Sequence, residues 1–150
     1  MSELRFKKEF TPPLFEKFCV ENTKKEESAK ELLPIEALVN SIEKELERLF
    51  GSRTLKKLDD ILDGKNVIYK GLPGWYGLPE ELLKKATAPI AHPTIKRALE
   101  KLISWYEPRL KNAKVSVLGF DALSQSLKIE ISAQVFLANK WEKINFTLQT

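Results

Sequence analysis

Two stretches of the chain carry apolar residues at helical spacing, and the last third switches to strict alternation. From Ile35 the apolar positions run through Leu38, Val39, Ile42, Leu46, Leu49 and Phe50, while Glu43, Lys44, Glu47 and Arg48 take the other side. That pattern predicts an amphipathic helix over 34–50. Pro34 suits its first position, and Gly51 is placed to close it as a left-handed cap. Leu55, Leu58, Ile61 and Leu62 predict a shorter helix ending at Gly64. Ile95, Leu99, Leu102, Ile103 and Tyr106 form the stripe of a second long helix over 93–106, opened by Pro93. Pro108 biases Glu107 away from helical torsions, so this helix stops there.

Between these helices, residues 71–79 hold three glycines, two prolines, Trp75 and Tyr76, which reads as a loop. A helical turn over 80–85 follows Pro79. Beyond Pro108 the period becomes two. Val115 and Val117 alternate with polar neighbours. Leu127, Ile129, Ile131, Ala133, Val135 and Leu137 alternate with Lys128, Glu130, Ser132, Gln134 and Phe136, and Ile144, Phe146 and Leu148 alternate again. Residues 138–140 suit a three-residue hairpin loop with Asn139 left-handed. The expected class is α+β, with amphipathic helices packed on one face of a three-stranded antiparallel C-terminal sheet. Residues 34–150 make one domain. Residues 1–33, with Thr11-Pro12-Pro13 and a Lys/Glu-rich stretch after Glu21, read as an N-terminal arm and charged linker.

Composition narrows the function. The 150 residues contain one cysteine and one histidine, so neither an internal disulfide nor the usual zinc ligand set is expected, and no metal or cofactor is assigned. The first residues lack the apolar core of a signal peptide, and no apolar run suffices for a membrane helix. A cytoplasmic protein without membrane insertion is expected. The net charge of +4 has its excess in 64–113, where nine basic residues face four acidic ones. Such a segment attracts nucleic acid or an acidic protein, or forms a solvated face.

An enzymatic reading starts from carboxylates. A glycosidase needs two, one kept protonated. Glu107, beside Trp105 and Tyr106, is the candidate acid, but Arg109 two residues on favours the ionised form, the wrong one for a proton donor. No second carboxylate stands out, so no catalytic residue is assigned. No nucleophile elbow or phosphate loop is present. His92 reads as a local cap or surface residue, and Cys19 as structural. Trp75 and Tyr76 suit stacking on bases or, preferably, anchoring their own loop. Glu107 and Arg109 by themselves suit a local ion pair, which if exposed contributes only ~0–1 kcal/mol.

The order of features adds a resemblance. A helix ends in Leu49-Phe50-Gly51-Ser52-Arg53-Thr54, the loop Tyr76-Gly77-Leu78-Pro79 follows, a helix ends in Tyr106-Glu107-Pro108-Arg109-Leu110, and a β-meander finishes the chain. This resembles the TssE family of type VI secretion baseplate subunits, which is similar to the lysozyme-like wedge proteins of contractile phage tails. It covers 34–150 and, loosely, 11–18, where Pro13-Leu14-Phe15-Glu16-Lys17-Phe18 is similar to a segment near the start of TssE proteins. Glu80 stands where the family usually has Asp, and the 71–75 and 21–31 stretches are unusual. The resemblance implies a structural wedge component beside TssF and TssG, at the cytoplasmic base of an envelope-anchored contractile machine, linking the wedge to the sheath proteins TssB and TssC and helping initiate sheath assembly. It implies partner contacts at Glu107, Pro108 and Arg109, with Tyr76 and Leu78, and strand addition beside Phe146 and Leu148. On this reading Arg109→Ala keeps the fold and loses the partner, and no small-molecule substrate or nucleic acid is expected. The alternatives are a phage-tail-like wedge protein, a peptidoglycan glycosidase and a nucleic-acid-binding protein.

Overall fold

A computed structural model describes residues 35–63, 73–137 and 139–150. Helix α1 (Ile35–Gly51) buries Leu38, Ile42, Leu46, Leu49 and Phe50 along one stripe, as its periodicity predicts. After it come β1 (Arg53–Thr54), α2 (Leu58–Asp63), a 3-10 turn (Pro73–Trp75), β2 (Leu78–Pro79) and α3 (Glu80–Lys85). A second 3-10 turn (Pro89–Ala91) leads into α4 (His92–Tyr106), which buries Ile95, Ala98, Leu99, Leu102 and Ile103. The strands β3 (Leu110–Asp121), β4 (Ser126–Leu137) and β5 (Lys140–Gln149) form one antiparallel sheet in the order β3-β4-β5. The class is α+β, with the helices on one face of this sheet. The N-terminal arm lies outside the described residues, as does Cys19.

The alternation along β4 decides which face is covered. Leu127, Ile129, Ile131, Ala133, Val135 and Leu137 are all buried against the helices, whereas Lys128 and Phe136 are exposed on the other face. From β5 only Phe146 and Leu148 are buried, with Ile144 partly so. Helix α4 runs beside β3, where the Glu100 carboxylate accepts the Val115 backbone N–H at 3.0 Å. From the next residue of α4, Lys101 Nζ donates to the Leu62 carbonyl and, at 3.4 Å, to that of Ile61, so a cation meets the last carbonyls of α2.

Four local expectations are corrected. Helix α2 starts at Leu58, and Leu55 is fully exposed outside it. Gly51 is the last residue of α1 and has no positive φ; the helix is instead closed by Ser52, whose backbone N–H and hydroxyl both donate to the Arg48 carbonyl, at 3.0 and 2.7 Å. The β4–β5 connection is one residue shorter than expected, because Lys140 already pairs with Leu137, while Asn139 does take a left-handed φ of 71°. Finally, residues 73–79 of the expected loop are more regular than the composition implies. Leu78 and Pro79 pair in parallel with Arg53 and Thr54.

Gly77 explains why that last pairing is possible. Its φ is +108°, and a Cβ there would sit 2.8 Å from the backbone of Ser52. Only glycine lets the two backbones come this close with that torsion. The contact is then used: the Leu78 N–H donates to the Ser52 carbonyl at 2.9 Å, and Thr54 Oγ1 donates to the Gly74 carbonyl at 3.0 Å.

Candidate assembly site at the helix-to-strand corner

Helix α4 ends where Pro108 requires it to. Glu107 keeps a last helical bond, its N–H to the Ile103 carbonyl at 2.8 Å, but its φ and ψ of −124° and 75° have left the helix. The chain then turns, with the Leu110 N–H donating to the Glu107 carbonyl at 3.2 Å, and starts β3. This turn folds Arg109 back over Glu107. Arg109 Nε donates to Oε1 and Nη2 to Oε2, both at 2.6 Å, in a two-pronged pair. Arg109 Nη1 donates to Ser41 Oγ at 3.1 Å, which ties the corner to the buried face of α1.

The pair is therefore not the exposed one that the tripeptide alone suggests. The Glu107 side chain is 3% exposed and that of Arg109 20%. Both oxygens of Glu107 are held by its partner, so the carboxylate acts as a fixed acceptor at the junction of α1, α4 and β3. The expectation that Arg109→Ala leaves the fold intact is corrected for the same reason, because it would strand a buried carboxylate.

Next to this corner, two consecutive aromatics of the 71–79 stretch meet two consecutive aromatics of α4. Trp75 packs edge-on against Trp105 with ring centres 6.2 Å apart, and Tyr76 against Tyr106 at 5.2 Å, both with interplanar angles of 85°. Lys56 Nζ lies 4.8 Å from the Trp75 ring centre, a cation–π contact. The aromatics anchor the loop on its own domain. Burial pushes the Tyr76 hydroxyl up to about 12, with the charges of Glu45 and Glu107 adding to the rise and Arg48 opposing it. Burial likewise raises Tyr106 to about 12, helped by Tyr76.

Of the residues expected to touch partners, Glu107, Arg109 and Tyr76 gather at this corner, with exposed Pro108 on its outside. Leu78 is fully buried in the adjoining β1–β2 pairing. Phe146 and Leu148 lie elsewhere, paired with Ile131 and Ile129 along the sheet, and are 4% and 5% exposed. The side chains of Leu78, Phe146 and Leu148 thus hold the core. His92 opens α4 with Nε2 3.1 Å from the Ala86 carbonyl, a local contact. Sequence reasoning missed Ser41 and Glu100. Ser41 had a signal, a polar residue inside the apolar stripe of α1. Glu100 had none, since its partner is a backbone N–H.

The second feature of interest is the outer edge of β5. Leu127 and Thr150 exchange both backbone bonds, at 3.0 and 3.1 Å, which fixes the parity of the β4–β5 ladder. With no register shift along it, the even residues from Lys140 to Leu148 bond to β4, and the odd ones point their N–H and C=O groups outward. Among the described residues no strand pairs with these outward groups of Trp141, Lys143, Asn145, Thr147 and Gln149.

No family model and no curated protein matches the chain. The fold is similar to one chain in the solved baseplate complex from the type VI secretion system, with a TM-score of 0.51 and 18% identity. The likeness covers 77% of this chain and 93% of that one, and at this identity it speaks to the fold alone. No helix among the described residues is long and apolar enough to cross a membrane.

Proposed function

We propose that this protein is a structural subunit of a type VI secretion baseplate, a TssE-like wedge component that joins TssF and TssG to the TssB–TssC sheath and helps initiate sheath assembly. The observation that carries this reading is the fold likeness over 93% of a chain from such a baseplate. Two features of the molecule support it. The Glu107-Pro108-Arg109 corner is a rigid knuckle whose exposed tip, Pro108, is flanked by the partly exposed Arg109 guanidinium. The β5 edge offers a continuous row of backbone donors and acceptors for strand addition. The contact there runs through Lys143, Asn145 and Thr147, whose backbone groups face out, and Phe146 and Leu148 hold the strand in place. The protein works at the cytoplasmic base of the machine and is not an enzyme; Glu107, held by both oxygens, serves the corner.

Co-expression tests this. The full chain should elute as one complex with TssF and TssG. Arg109→Lys, which keeps a cation beside Glu107 but loses the planar fork, should weaken that complex. Thr147→Pro should keep TssF and TssG bound and lose capture of TssB–TssC. A folded wild-type chain that stays apart from all four proteins would refute the proposal.

A further inference from the structure

Among the described residues the sheet has helices on one face only, and its other face is not uniform. The register places side chains in rows across it. Phe136 sits beside Trp141 at the hairpin end, with ring centres 5.1 Å apart and exposures of 38% and 50%. The next row is Lys111–Gln134–Lys143, and the one after is Lys114–Ser132–Asn145. Two residues on the same face of adjoining strands are ~4.8 Å apart, so Lys111 and Lys143 flank Gln134 at ~10 Å from each other. The irregularity between Lys111 and Lys114 in β3 keeps both lysines on this face, because both pair with even residues of β4. None of the three lysines makes an ion pair among the described residues. The first carboxylate met on this face is Glu130, a further row along.

We infer that this hairpin end of the open sheet face is a docking surface for an acidic protein segment carrying one large apolar side chain. The charge argument is direct. Three cations are held together on a rigid sheet with no carboxylate among them, and an acidic partner relieves their repulsion. The apolar argument concerns position. A half-exposed tryptophan packed on a half-exposed phenylalanine makes a preformed apolar anchor at the rim of the charged rows, the residue type that dominates binding energy at interfaces. The Gln134 amide, whose Oε1 accepts from Asn112 Nδ2 at 3.0 Å, lies between Lys111 and Lys143, and the Asn145 amide lies across Ser132 from Lys114; both suit a peptide backbone. Nucleic acid, the other polyanion, fits less well. The two rings are turned onto each other at 54°, which leaves no stacking platform for successive bases, and the cations are all lysines, which lack the planar fork that grips phosphate. The surface uses the side chains of Lys143 and Asn145, whose backbone groups belong to the β5 edge, and the peptide assay contains no baseplate protein, so the inference is tested apart from the baseplate reading.

Fluorescence anisotropy with the full chain at low salt tests it. The probes are a labelled peptide of glutamates around a central phenylalanine, the same peptide with glutamines, and an oligothymidylate of equal charge. The glutamate peptide should bind, and the glutamine peptide should bind at least about tenfold more weakly. Lys111→Glu combined with Lys143→Glu, and separately Trp141→Ala, should each weaken the glutamate peptide by about tenfold or more, while the control Lys84→Gln on α3 should not. All these side chains face solvent, and circular dichroism confirms that each variant is folded. No binding of the glutamate peptide by the wild type, equal binding by the charge-reversed variant, or preference for the oligothymidylate overturns the inference.

Discussion

Truncating Arg109 to alanine leaves the Glu107 carboxylate inside the corner with its main donors gone, and Ser41 with one partner fewer. Breaking a buried pair from one side costs about 3–5 kcal/mol, and the partial exposure of Arg109 puts this case at the lower end, about 3 kcal/mol. Removing both charges behaves differently. Glu107→Leu with Arg109→Met should recover most of that loss, because no charge is stranded. Urea unfolding of Glu107→Leu, Arg109→Met and the double variant measures it; additive losses would show that the two side chains do not act as a unit. At this scale the sequence was only half legible. The tripeptide announced a helix stop and an ion pair, since proline and opposite charges act locally. It did not announce burial, which depends on Ser41 arriving from a helix far away in sequence.

The strand β5 offers a test that one residue's step decides. Proline at 147 removes an N–H that faces out of the sheet, a place where edge strands tolerate proline. Proline at 146 removes an N–H bonded to β4 and a buried ring. Phe146→Pro should therefore destabilise the domain by about 3 kcal/mol or more, and Thr147→Pro by about 1 kcal/mol or less. Thermal melting of both variants checks the order, and equal losses would mean that the ladder has the opposite parity. Long periodic elements such as α1, α4 and β4 were readable from their spacing, because each buries one face and the period records it. The two-residue strands β1 and β2 were not. They carry no period, and their pairing rests on Gly77 approaching Ser52, a contact between segments separated by a whole helix. Leu55 misled because an apolar residue at helical spacing is evidence of burial only if the helix reaches it.

At the scale of the whole molecule, two tyrosines resist ionisation. Tyr76 and Tyr106 ionise near 10 in an unfolded chain and at about 12 in the fold. For each, the folded form holds its proton longer, so this contribution to stability is complete below pH 10 and is lost as pH rises from 10 to 12. Unfolding midpoints should fall across that window, and Tyr76→Phe with Tyr106→Phe should flatten the fall; an unchanged slope would locate the alkaline loss in other groups. The class and the one-sided cover of the sheet were legible at this scale, because an alternating strand must hide one face. What the sequence did not disclose is that the two sheet edges differ. Along β3, α4 lies alongside and Glu100 already holds the Val115 N–H, while β5 presents its odd-numbered backbone groups unpaired by any described strand. A domain that adds a strand at β5 alone, as the proposed role requires, would be the terminal member of any row of strands that contains it. Its copy number would then set how many rows exist and not how long each becomes.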